Sequence, residues 1–345
     1  MSAPGHAILS APRPRRSALA APSMAVYTAL EPQQLADALA AFGLPPPSQV
    51  RPEPKGAVNT GYHVWSGGHR LFLRVNEGKS EADARFEAEA QQYLHAARFP
   101  VPELRTTLDG RAWVEVAGKP AMLFAYAPGE ELAQGDVTPE RCRRVGEQMG
   151  RLHELSAGLT AGRPNPYGPS WVTGRLRGLT PAAGADPEAS AALPVFQDEL
   201  ARSGSLPGAP RGLVHGDLFV DNVLWIGDRV SALLDWEMSC IDPFAYDLGV
   251  ALNAWCWDGA YRADRGRALL AGYRARRRME PETAAALLAW SRFAALRFAV
   301  GRLAGYVPAG ARAAPPAGKD WREYRDRLAA LRSTGEPEFA ALLGL

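Results

Sequence analysis

Asp217 and Asn222 stand five residues apart in Val214-His215-Gly216-Asp217-Leu218-Phe219-Val220-Asp221-Asn222, and another carboxylate follows in Leu234-Asp235-Trp236-Glu237. An Asp that accepts a hydroxyl proton, an Asn five residues on that binds magnesium, and a further Asp on the metal are what a phosphoryl transfer to an alcohol requires. The order gives the proton to Asp217 and the magnesium to Asn222 and Asp235. Taken singly, each of these residues could as well cap a turn or end a strand, and the His-x-Asp-x-x-x-x-Asn spacing alone arises by chance. The surroundings favour the chemical reading. Val223-Leu224-Trp225-Ile226 and Val230-Ser231-Ala232-Leu233-Leu234 read as strands about a Gly227-Asp228 turn, and such a hairpin folds Asp235 back beside Asn222.

The elements that must hold these groups come from a chain of 345 residues, 47% apolar, long enough for two lobes or domains. Its net charge of +2, from 39 basic and 37 acidic residues, offers no general field for nucleic acid or an anionic membrane, so neither is expected as a partner. Three scattered cysteines, Cys142, Cys240 and Cys256, suit neither a disulfide framework nor a metal cluster, and a reducing cytoplasm is the simplest setting. Residues 1–23 are rich in Pro, Arg, Ala and Ser, with no apolar run of signal-peptide or membrane length, and read as a disordered extension. Translation starting at Met24 is an alternative.

The first lobe is expected over residues 24–127. Leu35, Leu39 and Phe42 mark a helix from Glu31 to Phe42. Gly56 to Trp65, a Gly67-Gly68 turn and Leu71 to Val75 read as a hairpin. Its glycine-flanked entry, with Asn59 and Thr60, either lies over nucleotide phosphates or is an ordinary turn. A helix from Ser80 to Ala97 follows, capped by Ser80, and its Glu87 can pair with Arg74 on the preceding strand. Trp113 to Val116 and Ala121 to Tyr126 form the next hairpin, which breaks at Ala127-Pro128-Gly129; Phe124 and Tyr126 stand at this connection, where a nucleotide base would lie.

The second lobe, residues 128–345, reads as mostly helical. Helices are expected over Glu140 to Ala157, with His153 a packed core histidine, near Trp171, and over Pro187 to Ala201. A further one begins at Asp242-Pro243, with Asp as cap and Pro in the first turn, and carries Asp247. Arg265 to Arg277, Pro281 to Ala304 and Trp321 to Leu331 are also helical in pattern, and Pro308 to Lys319 is a loop.

With these residues in view, the chain resembles the aminoglycoside phosphotransferase and choline kinase group. Val214 to Asn222, Leu234-Asp235-Trp236-Glu237 and Asp242-Pro243 to Asp247-Leu248 carry that resemblance. Within the group it looks most like the homoserine kinases of the kinase-like type, through Ala245-Tyr246-Asp247-Leu248, Leu252-Asn253-Ala254-Trp255-Cys256, Ala295-Leu296-Arg297-Phe298 and Tyr324 to Leu331. The similarity spans about residues 24–332. It implies an α+β, two-lobed protein-kinase-like fold with a small antiparallel-sheet N-lobe and a mostly helical C-lobe, and it implies ATP and Mg2+ as cofactors. The sequence departs from the group at Val58, where Glu is usual in the glycine-rich turn, at Trp236-Glu237-Met238, where a more aromatic sequence is usual, and at Arg74, where Lys is common. No long activation segment separates Asp235 from Asp242, which disfavours a peptide acceptor.

The acceptor implied is a small molecule, L-homoserine giving O-phospho-L-homoserine on the way to threonine; the alternative is an aminoglycoside or another hydroxylated amine. A zwitterionic amino acid needs a cation for its carboxylate and acceptors for its ammonium. Arg297 is the candidate for the first, and a structural salt bridge is its other reading; Asp242 or Glu237 are candidates for the second.

Overall fold

A computed structural model of the protein describes residues 28–54, 59–179, 186–306 and 319–345. The expectations for residues 1–23 and for Met24 as a start, for Gly56 to Val58 in the glycine-flanked turn, and for most of the 308–319 loop fall outside these ranges.

The N-terminal region is one antiparallel sheet with two helices. Strands β1 (Gln49–Pro52), β2 (Thr60–Ser66), β3 (His69–Val75), β4 (Val114–Val116) and β5 (Lys119–Ala125) lie in the order β1-β2-β3-β5-β4. Gly67 and Gly68, both at positive φ, make the two-residue turn between β2 and β3, the turn whose twist matches the flanking strands. Helix α1 (Pro32–Ala41) buries Leu35, Ala38 and Leu39 against β2, β3 and β5 residues such as Val64, Leu71 and Leu123. Helix α2 (Glu81–Ala96) starts as expected at Ser80, whose hydroxyl accepts from the Asp83 N–H while Asp83 accepts from the Ser80 N–H, closing both ends of a capping box.

The remainder is mostly helical, with short strands at the cleft. Elements run β6 (Glu130–Glu131), α3 (Pro139–Leu155), α4 (Pro169–Leu179), α5 (Pro187–Arg202), β7 (Arg211–Val214), β8 (Val223–Ile226), β9 (Arg229–Leu233), β10 (Cys240–Pro243), α6 (Phe244–Trp255), α7 (Ala263–Arg274), α8 (Pro281–Tyr306), α9 (Trp321–Ser333) and α10 (Glu336–Leu343). Every residue of α6 is buried; apart from Asp247 and Asn253, which find internal hydrogen-bond partners, the helix is largely apolar and forms the axis of the core. Helix α8 is long and apolar enough to cross a membrane by composition, yet most of it is buried and it packs on α6 and α9. Helices α3 and α7 approach so closely that a side chain at Gly146 or Gly272 would collide with the facing backbone. The three cysteines are free and buried.

One expectation is corrected. Asp242 and Pro243 do not open a helix: they end β10, with Asp242 opposite Gly212 of β7, and α6 begins at Phe244. The Asp242 carboxylate is taken by the Asn165 side-chain amide at 2.7 Å instead of by helix N–H groups. Strand β1 and helix α10 were not anticipated; the first is an edge strand of four residues and the second a helix of eight, both too short to show a period.

Candidate active site

Asp217 sits in the turn that leaves β7. Gly216 before it has a φ of 75°, and a Cβ there would stand 3.0 Å from the Met238 carbonyl oxygen, so the turn requires glycine. Asp247, in the first turn of α6, holds this turn from beneath: its carboxylate accepts from the N–H of Gly216 at 2.8 Å and of His215 at 3.3 Å. His153 of α3 lies 3.0 Å from the same carboxylate through Nε2 and 3.0 Å from the Tyr273 hydroxyl through Nδ1. It is a buried histidine, as expected, and it braces the turn at Gly216 through Asp247. Burial works to raise the Asp247 pKa, but hydrogen bonds and positive potential from His153, with the Gly216 N–H, hold it below the ordinary carboxylate value. Burial lowers the pKa of both His153 and His215.

The hairpin β8–β9 does what its sequence indicates. Val223 faces Leu233, and the Leu234 N–H donates to the Asn222 carbonyl at 2.8 Å, so Asp235 returns beside Asn222. The Asn222 amide nitrogen donates to the Asp217 carbonyl at 2.8 Å and to its carboxylate at 3.3 Å, which turns the other amide atom, Oδ1, away from Asp217. Asp235 is held at φ 59°, ψ 65°, a left-handed conformation that Asp and Asn tolerate better than most residues. Its Oδ1 is covered by protein yet has no hydrogen-bond partner, while the side chain as a whole is 40% exposed. An occluded carboxylate oxygen without a donor suits a cation. No cluster of three or more His, Cys, Asp or Glu with metal-holding geometry occurs among the described residues. One carboxylate and one amide oxygen are nevertheless the donor set of a magnesium that keeps its waters and takes phosphate oxygens.

Burial pushes the Asp217 pKa up to about 7; Arg297 pulls it down, Glu237 and Asp221 raise it further, and Arg302 opposes them. A carboxylate poised near neutrality is matched to accepting a hydroxyl proton. Burial likewise raises Asp235, reinforced by Glu237 and opposed by Arg74.

The expected pair Arg74–Glu87 is formed, at 2.6 Å and buried on both sides. Arg74 also donates to Asn76 at 2.9 Å and reaches within 3.7 Å of Asp235 Oδ1. Its charge is therefore fixed by Glu87 of α2 and set beside the Asp235 carboxylate.

Other expected site residues are placed differently. Thr60 is fully buried, its hydroxyl donating to Glu77 at 2.8 Å and accepting from the Thr28 N–H at 3.0 Å, so that hydroxyl is already engaged within the protein. Asn59 accepts from the Glu77 N–H and donates to Glu237, so its side chain joins two protein segments. Phe124 is buried with the Arg74 guanidinium 5.4 Å from its ring, and the Tyr126 N–H donates to Arg70, whose guanidinium lies 3.6 Å from the Tyr126 ring. Glu237 is buried between Asn59 and Lys79, and Asp242 between Asn165 and Arg211, so neither carboxylate is free to receive an ammonium. Arg297 is buried without an ion pair among the described residues; its Nε has no hydrogen-bond partner.

Lys79, Arg163, Asn165 and Tyr167 were not anticipated. Lys79 approaches the Tyr167 hydroxyl and the Glu237 carbonyl, both at 3.5 Å. Arg163 pairs with Asp83 of α2 at 2.6 Å and donates to the Ser239 carbonyl, which ties α2 to the segment after Asp235. All lie in aperiodic stretches: Lys79 in the connection from β3 to α2, and Arg163, Asn165 and Tyr167 in a proline-rich loop whose polar and aromatic cluster was the signal available.

Comparison with known proteins agrees with this geometry. Residues 49–281 match the Phosphotransferase enzyme family. The homoserine kinase of Methylorubrum populi is 33% identical over 91% of this chain and 98% of its own length, and that of Azorhizobium caulinodans is 35% identical over 88% and 95%. Among solved structures, the amicoumacin kinase hAmiN, in complex with AMP-PNP, Ca2+ and its ligand, superimposes with a TM-score of 0.66 at 18% identity, covering 84% of this chain and 90% of that one. Spectinomycin phosphotransferase APH(9)-Ia does so with a TM-score of 0.64 at 13% identity, covering 90% and 100%. These have the two-lobed, protein-kinase-like fold described above, and the chain belongs to the phosphotransferase enzyme family as a kinase of small molecules.

Proposed function

We propose that the protein transfers the γ-phosphoryl group of ATP to the hydroxyl of L-homoserine, giving O-phospho-L-homoserine. The region up to residue 127 takes the nucleotide; the rest supplies the catalytic residues and the acceptor pocket. Asp217 accepts a hydrogen bond from the acceptor hydroxyl, orients its oxygen toward the phosphorus and takes up its proton as the new bond forms. Asn222, through its amide nitrogen, keeps the Asp217 carboxylate in place. Asn222 Oδ1 and Asp235 would hold magnesium, which when bound offsets the negative charge of the phosphate oxygens. Arg74, fixed by Glu87, adds positive charge on the same side. A reducing cytoplasm suits the three free thiols.

The observation that carries the acceptor is the charge of Arg297, buried and without a carboxylate partner among the described residues, its Nε unpartnered and one Nη on the Met238 sulfur. An acidic pocket for a polycationic amine is disfavoured, because Glu237 and Asp242 already have internal partners. The reading is supported by homoserine kinases that match at 33 and 35% identity over nearly their whole length. With ATP and magnesium, ADP release is expected with L-homoserine and far less with its amide or with choline. Comparable turnover of kanamycin-like amines, or indifference to the carboxylate, would overturn the choice of acceptor.

A further inference from the structure

Helix α8 carries three arginines at five-residue steps, and their environments differ. Arg292 pairs with Glu199 at 2.6 Å and Arg302 with Glu323 at 3.0 Å. Arg297 lies between two rings instead, its guanidinium carbon 4.5 Å from the centroid of Tyr167 and 3.9 Å from that of Phe298. It is 3% exposed. A buried cation without an anion is strongly disfavoured unless something compensates. Two aromatic faces compensate in part and fix the plane of the guanidinium; one Nη donates to the Met238 sulfur at 2.6 Å, and the unpartnered Nε with the remaining N–H groups is what is left for a ligand.

Phe298 is the next residue on the helix, but Tyr167 comes from the loop before α4 and is held there for a purpose. Its N–H donates to the Asn165 side chain at 2.8 Å, and the Asn165 amide is anchored on Asp242 of β10. Its ring meets Trp171 edge-on at 5.2 Å, and Lys79 approaches its hydroxyl. The loop is thereby pinned at both ends with the ring set against Arg297.

We propose that Tyr167 is a positioning residue for acceptor specificity: its ring and that of Phe298 hold the Arg297 guanidinium flat and already desolvated, edge toward the acceptor carboxylate. The inference rests on the homoserine reading above. A pre-organised fork binds a carboxylate through paired N–H groups without first losing its own rotational freedom.

Tyr167→Phe and Tyr167→Leu test it by steady-state kinetics on L-homoserine and its amide. Tyr167→Phe keeps the ring, and its KM for homoserine should stay within about twofold of wild type. Tyr167→Leu removes it, and that KM should rise about 5- to 30-fold, as expected for loss of a desolvated cation–π contact. The KM for ATP should not follow, and the preference for homoserine over the amide should shrink. If the leucine variant folds poorly, Tyr167→Gln carries the same expectation. Wild-type protein that fails to phosphorylate homoserine would sink the parent reading. Wild-type activity on homoserine, with an unchanged homoserine KM or a parallel rise in the ATP KM in the ring-less variants, would overturn the role of Tyr167 alone.

Discussion

The Asn59 side-chain amide donates to a carboxylate oxygen of Glu237 at 2.5 Å, joining positions 178 residues apart. Glu237 is two residues beyond Asp235, and Asn59 immediately precedes β2. The bond therefore clasps the start of β2 to the segment that carries Asp235. Glu237 is 2% exposed, with Lys79 at 3.8 Å as its remaining cation. Asn59→Ala leaves that buried carboxylate short of a donor, and the cost expected is about 1–3 kcal/mol of unfolding free energy. Urea unfolding of the two proteins measures it; equal midpoints and slopes would show that the clasp contributes nothing.

Asp217→Asn removes the proton acceptor while keeping a side chain of the same shape against Asn222. The turnover number should fall about 10²- to 10⁴-fold, the usual contribution of a general base. ATP binding should persist, because the phosphate side of the site is untouched. Titration with a fluorescent nucleotide and steady-state rates separate the two, and near-wild-type turnover would remove Asp217 from the catalytic role.

Asp235→Asn is a cleaner test of the metal site than Asp235→Ala, since asparagine tolerates the left-handed backbone found there. Removing the charge should weaken magnesium-dependent nucleotide binding by about tenfold or more, one ligand charge being lost. The melting temperature without nucleotide should hold or rise, because burial and Glu237 both oppose the charge of Asp235. A variant that binds magnesium–ATP as tightly as wild type contradicts the assignment.

The placement of the candidate site residues was legible because its signals are local. A spacing of five residues from Asp217 to Asn222 and a two-strand pattern about Gly227 were enough to bring Asp235 home, and the Arg74–Glu87 pair followed from a strand leading into a capped helix. What was misjudged depends on partners far away in sequence. Asp242-Pro243 has the local form of a helix start, but pairing with β7 outweighed it. Glu237 and Thr60 looked available because nothing nearby marks Asn59, Glu77 or Thr28 as their partners. Tyr167 and Asn165 sit in a loop with no period to read, so their approach to Arg297 and Asp242 emerges only from the packing of α8 and β10 around them.

The last prediction concerns acid. His153 has a folded pKa pushed below the ordinary 6.5 chiefly by burial, although Asp247 works to raise it. The unfolded chain, with the ordinary value, then binds the proton more readily, so stability increases with pH through this group. Its contribution is complete above about pH 6.5 and is lost as pH falls below that value. Half-buried Asp217 and Asp235 and buried Asp242 act in the opposite sense, because desolvation raises their folded pKa values and protonation relieves them. The wild-type pH curve is thus a difference of opposing effects, and a variant isolates one of them. His153→Gln can still donate to Asp247 but cannot titrate. The stability of wild type relative to His153→Gln should fall as pH is lowered below 6.5, by up to about 1.4 kcal/mol per pH unit. Urea unfolding at pH 7.5, 6.5 and 5.5 reads this directly, and a gap that stays constant over that range would show that His153 is not the group that titrates.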